Sequence, residues 1–392
     1  MATQQTLFIP AKGAPFTLVT RPIPTPGPGE VLVKLAATAL NPLDYFIQLV
    51  GFAIEEFPTV AGCDGAGTIE ALGEGVEGTG RAKGDRVAFE RLQFTSDYGT
   101  FQQYALIDAK RTYKIPAALS FEEASTMSLC LATAAIGLYT PHGPRGGAAL
   151  TAPWEDGGLG KYKDQPALVL GGSSSVGQFV LQLLKLSGFS PIITTASARN
   201  EAYVRAAGAT HVIDYQKTPY AELSGAVAQI TSAPFPVVFD AIGFEDTQRA
   251  GWALVGPKGT LLTVREPVVG KLDTELEGGR RVEYVWGVVN VMDREEGGRK
   301  WADGMYAGLD AILADGHLRP NKWEAVEGGL AGIPEAVEKV GKLQVSGAKL
   351  DLAFCTEFAG HQTSPWCPAM AASLAQQSVA LAYASSVRGT LG

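Results

Sequence analysis

Cysteine is scarce in this 392-residue chain: four residues, at 63, 130, 355 and 367, with no C-x-x-C pair. That number and scatter exclude a disulfide framework and point to a reducing, intracellular setting. Histidine is as sparse, with four residues at 142, 211, 317 and 361 that show no metal-ligand spacing. No stretch reaches the roughly 18 apolar residues that a membrane span needs. The opening "MATQQTLFIPAKGAPF" lacks the basic and apolar regions of a secretory signal. A cytoplasmic location is therefore expected. Basic blocks are missing too: 32 Lys and Arg stand against 40 Asp and Glu, a net charge of −8. That balance argues against nucleic acid or an acidic membrane as partner.

What is present is the composition of a soluble globular protein, 46% hydrophobic and 18% charged, with length enough for two domains. From 30 to about 115, short β-rich runs such as "EVLVKLAAT", "AGTIEALGEGV" and "GDRVAFE" alternate with glycine, the rhythm of a small antiparallel barrel or sandwich. After 165 the rhythm changes. "ALVL" (167–170) reads as a buried strand, and "VGQFVLQLLKLSG" as a helix closed by Gly188. Further strands are expected at 191–196, 211–215, 236–243 and 259–264, with helical segments between them. Such alternation means βαβ units and a parallel sheet. The fold class is α/β: a β-rich domain plus a doubly wound parallel sheet. The Gly- and Pro-rich stretch 141–166 reads as a surface loop, 270–354 as a return to the first domain, and the Ala- and Ser-rich tail after 355 as a frayed extension.

"LVLGGSSSVGQ" falls where a strand should turn into a helix, the context in which a dinucleotide fingerprint carries weight. Gly172, Ser174 and Gly177 have G-x-G-x-x-G spacing with serine in the middle. The glycines allow a tight turn and close packing, and the helix N-terminus offers N–H groups to a pyrophosphate. Enzymes using NAD place an acid at the end of the second strand, about 20 residues on, for the ribose 2′-hydroxyl. Here "TTASARN" (194–200) has none. Ser197, Arg199 and Asn200 supply hydroxyl, guanidinium and amide donors suited to a 2′-phosphate, which favours NADPH. Asn200 also suits an N-cap of the following helix. Tyr215, ending "HVIDY", is placed to flank the adenosine end or simply to pack.

These residues, with "ALNPLDY", "VAGCDGAGTIEALGEGV", "LATAAIGLY", "VVFDAIG" and "EGGLAGIPEAVEKVGKLQVSGAKL", resemble the medium-chain dehydrogenase/reductase superfamily in its zinc-lacking, quinone-reductase-like branch. Within it, "APWEDGGLGKYKDQPALVLGGSSSVGQ" and "PIITTASARN" look most like fungal trans-acting enoyl reductases of polyketide biosynthesis. The resemblance implies a GroES-like substrate domain over 1–127, a Rossmann NADPH domain over 128–270, a return to the substrate domain over 271–354 and a tail at 355–392. It implies that Ser173, Ser174, Ser175 and Val176 cover the pyrophosphate, with Asp44 and Gly243 also on the cofactor side. Ser197 to Asn200 and Tyr215 would hold the adenosine phosphate, and Val264, Arg265, Ser346 and Gly347 the nicotinamide side. Thr133 should approach the nicotinamide. The run Thr133, Ala134, Ala135, Ile136, Gly137, Leu138, Tyr139 and Thr140, with Val285, Trp286, Gly287, Val288 and Val289, should line the acyl pocket; a buried helix start is the plainer reading of 133–140. Two positions depart from the pattern: Phe46 stands where a cofactor-contacting Lys is usual, and Arg265 where an Asn is.

Zinc members of the superfamily carry Cys where this chain has Asn41 and His where it has Cys63. Catalytic zinc needs three converging protein ligands, and a free Cys in a Gly/Ala run is usually a small buried hydrophobe, so no metal is expected. Without a Lewis acid, reduction of an activated C=C bond is the chemistry that makes the smallest demands. Tyr45 and Tyr139 are hydroxyl candidates for the proton donor, beside solvent and the ribose 2′-hydroxyl. Three functions stay open. They are a trans-acting enoyl reductase serving a polyketide synthase, a free-standing quinone or enone reductase, and a non-catalytic NADPH-binding protein, each as monomer or homodimer.

Overall fold

The computed structural model describes residues 1–143, 146–272, 274–288 and 298–354. Val289 of the expected acyl pocket, Cys355, Cys367 and the tail from 355 lie outside them. The first domain is built on strands whose apolar residues are buried from both sides. Thr3–Ile9 (β1) and Thr17–Pro22 (β2) form an antiparallel pair, and Glu30–Ala39 (β3) is the spine of the larger sheet. Residues 31–33 and 35–39 of β3 are all buried. This burial follows from its neighbours: β3 pairs with Asp64–Leu72 (β5) on one edge and with Tyr104–Asp108 (β7) on the other. Between these strands lie Pro42–Val50 (α1) and the short Thr59–Val60 (β4), and the sheet continues through Arg86–Glu90 (β6) to Thr112–Lys114 (β8).

Phe121–Ser125 (α2) starts with a capping box between Ser120 and Glu123 and leads to Ser128–Tyr139 (α3). "SLCLATAAIGLY" has no polar stripe, and every one of its residues is buried, as a helix apolar all round must be. Burying each Leu or Ile there is worth roughly 2 kcal/mol. α3 contributes to one core cluster with residues of both sheets, among them Val33, Val87, Val169 and Phe239, and so fixes the two domains against each other.

The second domain has strands Ala167–Leu170 (β9), Ile192–Thr195 (β10), His211–Ile213 (β11), Phe235–Asp240 (β12), Val255–Thr263 (β13) and Arg281–Tyr284 (β14). Ser175–Leu186 (α4), Glu201–Ala207 (α5), Leu223–Ala228 (α6) and Glu245–Leu254 (α7) connect them. The sheet order β11-β10-β9-β12-β13-β14, parallel throughout, is the doubly wound order of dinucleotide-binding domains. β14 lies beyond residue 270, so the parallel sheet extends past the expected boundary. Gly298–Ala314 (α8) then lies on the first domain, where Tyr306 stacks on Tyr113 at 4.9 Å. Trp323–Ala325 (β15), Ile333–Gly341 (α9) and Lys349–Ala353 (β16) follow, and β16 adds to β3. Stretch 141–166 holds no helix or strand among its described residues, yet it is packed: Tyr162 stacks on Phe189 at 4.9 Å and Trp154 meets Tyr139 at 5.1 Å.

Candidate functional site

The turn from β9 to α4 lies at the point where the sheet order reverses, between β9 and β12. Gly171 has φ +80°; a Cβ on Gly172 would come within 2.2 Å of Thr194 Oγ1, and one on Gly177 within 2.3 Å of the Gly171 carbonyl oxygen. Glycine here lets β10 and α4 close on the turn. Ser174 caps α4, its Oγ accepting the Gly177 N–H at 3.0 Å, which leaves the hydroxyl hydrogen available to a ligand. Ser173, Ser174, Ser175 and Val176 stay half-buried around the helix end. A glycine turn packed this closely against its own strand and helix, ending at a helix N-terminus, fits a dinucleotide pyrophosphate.

At the end of β10, Ser197 is buried and its Oγ accepts from Asn200 Nδ2 at 3.3 Å, while Arg199 is exposed. Asn200 precedes α5 but makes no side-chain cap bond, so its amide serves the Ser197 turn. Tyr215, 39% exposed, stacks on Tyr220 at 6.3 Å and 6°. Ser346 lines a cavity of about 620 Å³ together with Arg199, and a Cβ on Gly347 would lie 2.6 Å from Asn200 Oδ1. Ser346 and Gly347 thus join the Ser197–Asn200 cluster, whereas the resemblance places them with Val264 and Arg265. Arg265 stands elsewhere, over the Phe244 ring at 4.5 Å and against Gly243. Asp240 shapes that turn by accepting the Ile242 and Gly243 N–H groups at 3.0 and 2.8 Å, and Val264 follows β13 with its N–H on the Asp240 carbonyl oxygen.

A buried polar centre lies in the first domain at the start of α1. Asp44, expected at the cofactor, is 0% exposed, and its two oxygens accept the N–H groups of Asn41 (2.8 Å) and Gly62 (3.2 Å). The carboxylate pins the start of α1 to the Cys63 loop. Burial raises its pKa to about 6, against the lowering influence of the Asn41 N–H and the Cys63 thiol. Burial and Asp44 push the Cys63 thiol well up, so Cys63 is a neutral, buried thiol. Arg91, also buried, donates to the carbonyl oxygens of Val60, Gln93 and Thr95 at 2.6 to 3.0 Å; burial lowers its pKa to about 10.

Asp64 accepts from Leu129 N at 2.7 Å, from Asn41 Nδ2 at 2.9 Å and from the Lys349 ammonium. Burial disfavours that ammonium, but Asp64 and the neighbouring Cys130 outweigh it and hold the lysine above its ordinary value. Asn41 spends its amide nitrogen on Asp64, and Cys63 is a neutral thiol. This donor set does not fit zinc, and among the described residues no three His, Cys, Asp or Glu side chains converge as metal ligands. Lys349 escaped the sequence reading. Its one signal is a lysine inside the apolar strand "KLDLA", whose partner Asp64 is 285 residues away.

Thr133 is 6% exposed; its Oγ1 donates to Leu129 O at 2.7 Å, and a Cβ on Gly287 would touch that hydroxyl. The segment after β14 therefore lies directly on Thr133. Trp286 meets Phe52 at 5.7 Å and Tyr284 at 5.6 Å, an aromatic contact between domains in which Phe52 was not foreseen. Val285 packs toward Gly137, and Val288 enters the first-domain core beside Leu129. The run from Ala134 to Thr140 is interior helix and helix end, with Thr140 Oγ1 donating to Ile136 O. Tyr139 ends the same buried helix. Its hydroxyl points into α4, 2.8 Å from Ser187 Oγ and 3.2 Å from Leu183 O, and burial pushes its pKa well up. The Tyr45 ring lies against Gly341 of α9 and edge-on to Phe46, which is 40% exposed. Thr133 is thus the expected catalytic hydroxyl that meets the cross-domain segment at Gly287.

Among the described residues, no helix is long and apolar enough to cross a membrane. Two family models match the chain: the alcohol dehydrogenase GroES-like domain over residues 27–117 and the zinc-binding dehydrogenase over 175–268. The chain is 31% identical over 358 residues to trans-enoyl reductase ccsC of Aspergillus clavatus, covering 84% of this chain and 90% of that one. To trans-enoyl reductase buaC of Petromyces alliaceus it is 30% identical over 344 residues, covering 83% and 90%. A solved alcohol dehydrogenase superfamily protein from Novosphingobium aromaticivorans superposes with TM-score 0.71 at 25% identity, over 90% of this chain and 100% of that one. With the GroES-like and Rossmann-like architecture described above, these likenesses make the chain an oxidoreductase of the medium-chain dehydrogenase/reductase family, grouped with the fungal trans-enoyl reductases.

Proposed function

We propose that this protein is a zinc-independent, NADPH-dependent enoyl reductase acting in trans on an α,β-unsaturated polyketide thioester carried by a synthase in secondary metabolism. The observation that carries this reading is the dinucleotide turn at Gly171–Gly177 followed, at the end of β10, by Ser197, Arg199 and Asn200 where an acid would select NAD. Kinship with trans-enoyl reductases supports the substrate class, and a mycobacterial relative in fold was solved with NADPH.

The residues divide the work. The α4 N-terminus and the Ser173–Ser175 hydroxyls hold the pyrophosphate, and Arg199 with Asn200 holds the 2′-phosphate. When bound, the nicotinamide supplies a hydride to the β-carbon of the C=C bond. Thr133, fixed on Leu129 O and covered by Gly287, bounds the reacting end, and Trp286 with Phe52 excludes water from it. The Thr133 hydroxyl hydrogen is given to Leu129 O, so Tyr45, solvent or the ribose hydroxyl of the bound cofactor would supply the proton at the α-carbon.

Exposed Phe46, where a cofactor-contacting Lys is usual, supports a second reading, a quinone or enone reductase or a non-catalytic NADPH binder. NADPH consumption with a soluble enoyl thioester, set beside a simple quinone, separates the readings. Thioester turnover exceeding quinone turnover is expected; fast quinone turnover with an inert thioester sinks the proposal. NADPH binding with neither turnover, and activity appearing only in Phe46→Lys, would point to the binder.

A further inference from the structure

Thr133 is placed from two directions. Its Oγ1 donates to the Leu129 carbonyl oxygen at 2.7 Å, and on the other side a Cβ at Gly287 would come within 2.1 Å of that hydroxyl oxygen. The hydroxyl has no slack, so its position is the position of the first turn of α3. That turn has no capping side chain of its own: Met127 stands at the N-cap without a side-chain bond. Asp64 of β5 supplies the missing acceptor, taking the Leu129 N–H at 2.7 Å from 65 residues away. The same carboxylate accepts Asn41 Nδ2 at 2.9 Å and the Lys349 ammonium. Lys349 enters from β16, and its Nζ lies 3.5 Å from the Thr126 carbonyl oxygen and 3.6 Å from Cys130 Sγ, on either side of Leu129 in the chain. β5, β16 and α3 thus meet at one ion pair whose side chains are 0% and 3% exposed.

We propose that Lys349 and Asp64 are positioning residues for the reacting end: their ion pair holds the first turn of α3 in the one place that seats Thr133 between Leu129 O and Gly287. Both act through Leu129, and neither is placed at substrate or cofactor. A buried pair adds little net stability, because desolvation of the two charges offsets their attraction. What this pair adds is a single geometry, since the carboxylate and the ammonium together engage Thr126, Leu129 and Cys130. Exchanging both charges for apolar side chains leaves the core filled and frees the turn to shift. Such a shift is small for the fold and large for hydride transfer, where a misplacement of about 1 Å costs up to roughly a hundredfold. The inference rests on the reading of Thr133 at the reacting end given above.

The test is a mutant cycle on the full-length chain between Lys349→Met/Asp64→Leu and Thr133→Val. Lys349→Met/Asp64→Leu is expected to melt within about 4 °C of wild type, to bind NADPH within about twofold and to lose roughly ten- to a hundredfold in kcat. Turnover is measured on whichever acceptor wild type reduces, enoyl thioester or quinone, so a wrong acyl substrate leaves the result intact. Adding Thr133→Val to that background is expected to cost less than about twofold more, because both changes act through one hydroxyl. Hydrogen exchange over residues 126–133, which needs no substrate, is expected to be faster without the pair. Wild-type kcat in the folded charge-free variant overturns the proposal, as do losses that multiply independently or unchanged exchange across the turn. An NADPH affinity that falls as far as kcat overturns it too, since the pair would then act on the cofactor site. A Thr133→Val chain with wild-type kcat sinks the reading of Thr133, and exchange alone then decides whether the pair holds the turn. Lys349→Met/Asp64→Asn is read in the same way if the leucine variant does not fold. If neither folds, the pair is a requirement of folding and the proposal falls.

Discussion

Asp44 sits wholly buried where α1 begins, and its pKa of about 6 lies above the ordinary 3.8. The folded chain therefore holds this proton more tightly than the unfolded chain. The group contributes stability at low pH that is lost as pH rises from about 4 to about 6, in total about 3 kcal/mol. Asp44→Asn removes the titration. Subtracting its unfolding free energies from those of wild type should leave a term that falls across that window, and a rising difference would contradict the assignment. Tyr139 makes a second test at this scale. With its hydroxyl spent on Ser187 and Leu183, Tyr139→Phe should retain wild-type kcat and lose about 1 kcal/mol of stability, whereas Thr133→Val should lower kcat in a folded chain. Loss of turnover in Tyr139→Phe would restore the tyrosine to the mechanism. Residue types in the linear chain indicated which hydroxyls were available, and only packing shows that one faces α4 and another lies beneath Gly287.

Among the elements, the βα turn of the second domain was the most legible. "ALVL" spans the residues of β9, and the glycines of "GGSSSVG" meet Thr194 and Gly171 as close packing demands. A Cβ at Gly177 would press on the Gly171 carbonyl, a backbone atom with little freedom to move. Gly177→Ala should therefore push α4 off the sheet, weaken NADPH binding by at least roughly tenfold and cost about 1–3 kcal/mol. Fluorescence titration and thermal unfolding check both, and unchanged affinity would remove the turn from the cofactor site. α3 was harder to read. Its lack of a polar stripe fits a pocket wall and a core helix equally well, and which one holds depends on Val87, Phe239 and α8 packing around it. β14 escaped because "RVEY" is four residues long and half polar; its identity as a strand comes from pairing with β13.

Over the whole molecule, two sheets of opposite character meet across α3, with the Phe52–Trp286 contact joining the domains beside Thr133. The change from short glycine-punctuated strands to strand–helix alternation made this division legible along the chain. The buried Lys349–Asp64 pair was not, because Lys349 reaches Asp64 only after the C-terminal strand has returned to β3. In the proposed reaction a nicotinamide hydride passes to the β-carbon of a carrier-bound enoyl thioester. Mass spectrometry after turnover with deuterium at the transferable C4 position of NADPH tests it most directly. One deuterium on the β-carbon of the saturated acyl chain is the expected result. Recovery of the unsaturated acyl chain without deuterium, while the same enzyme consumes NADPH on a quinone, would contradict it.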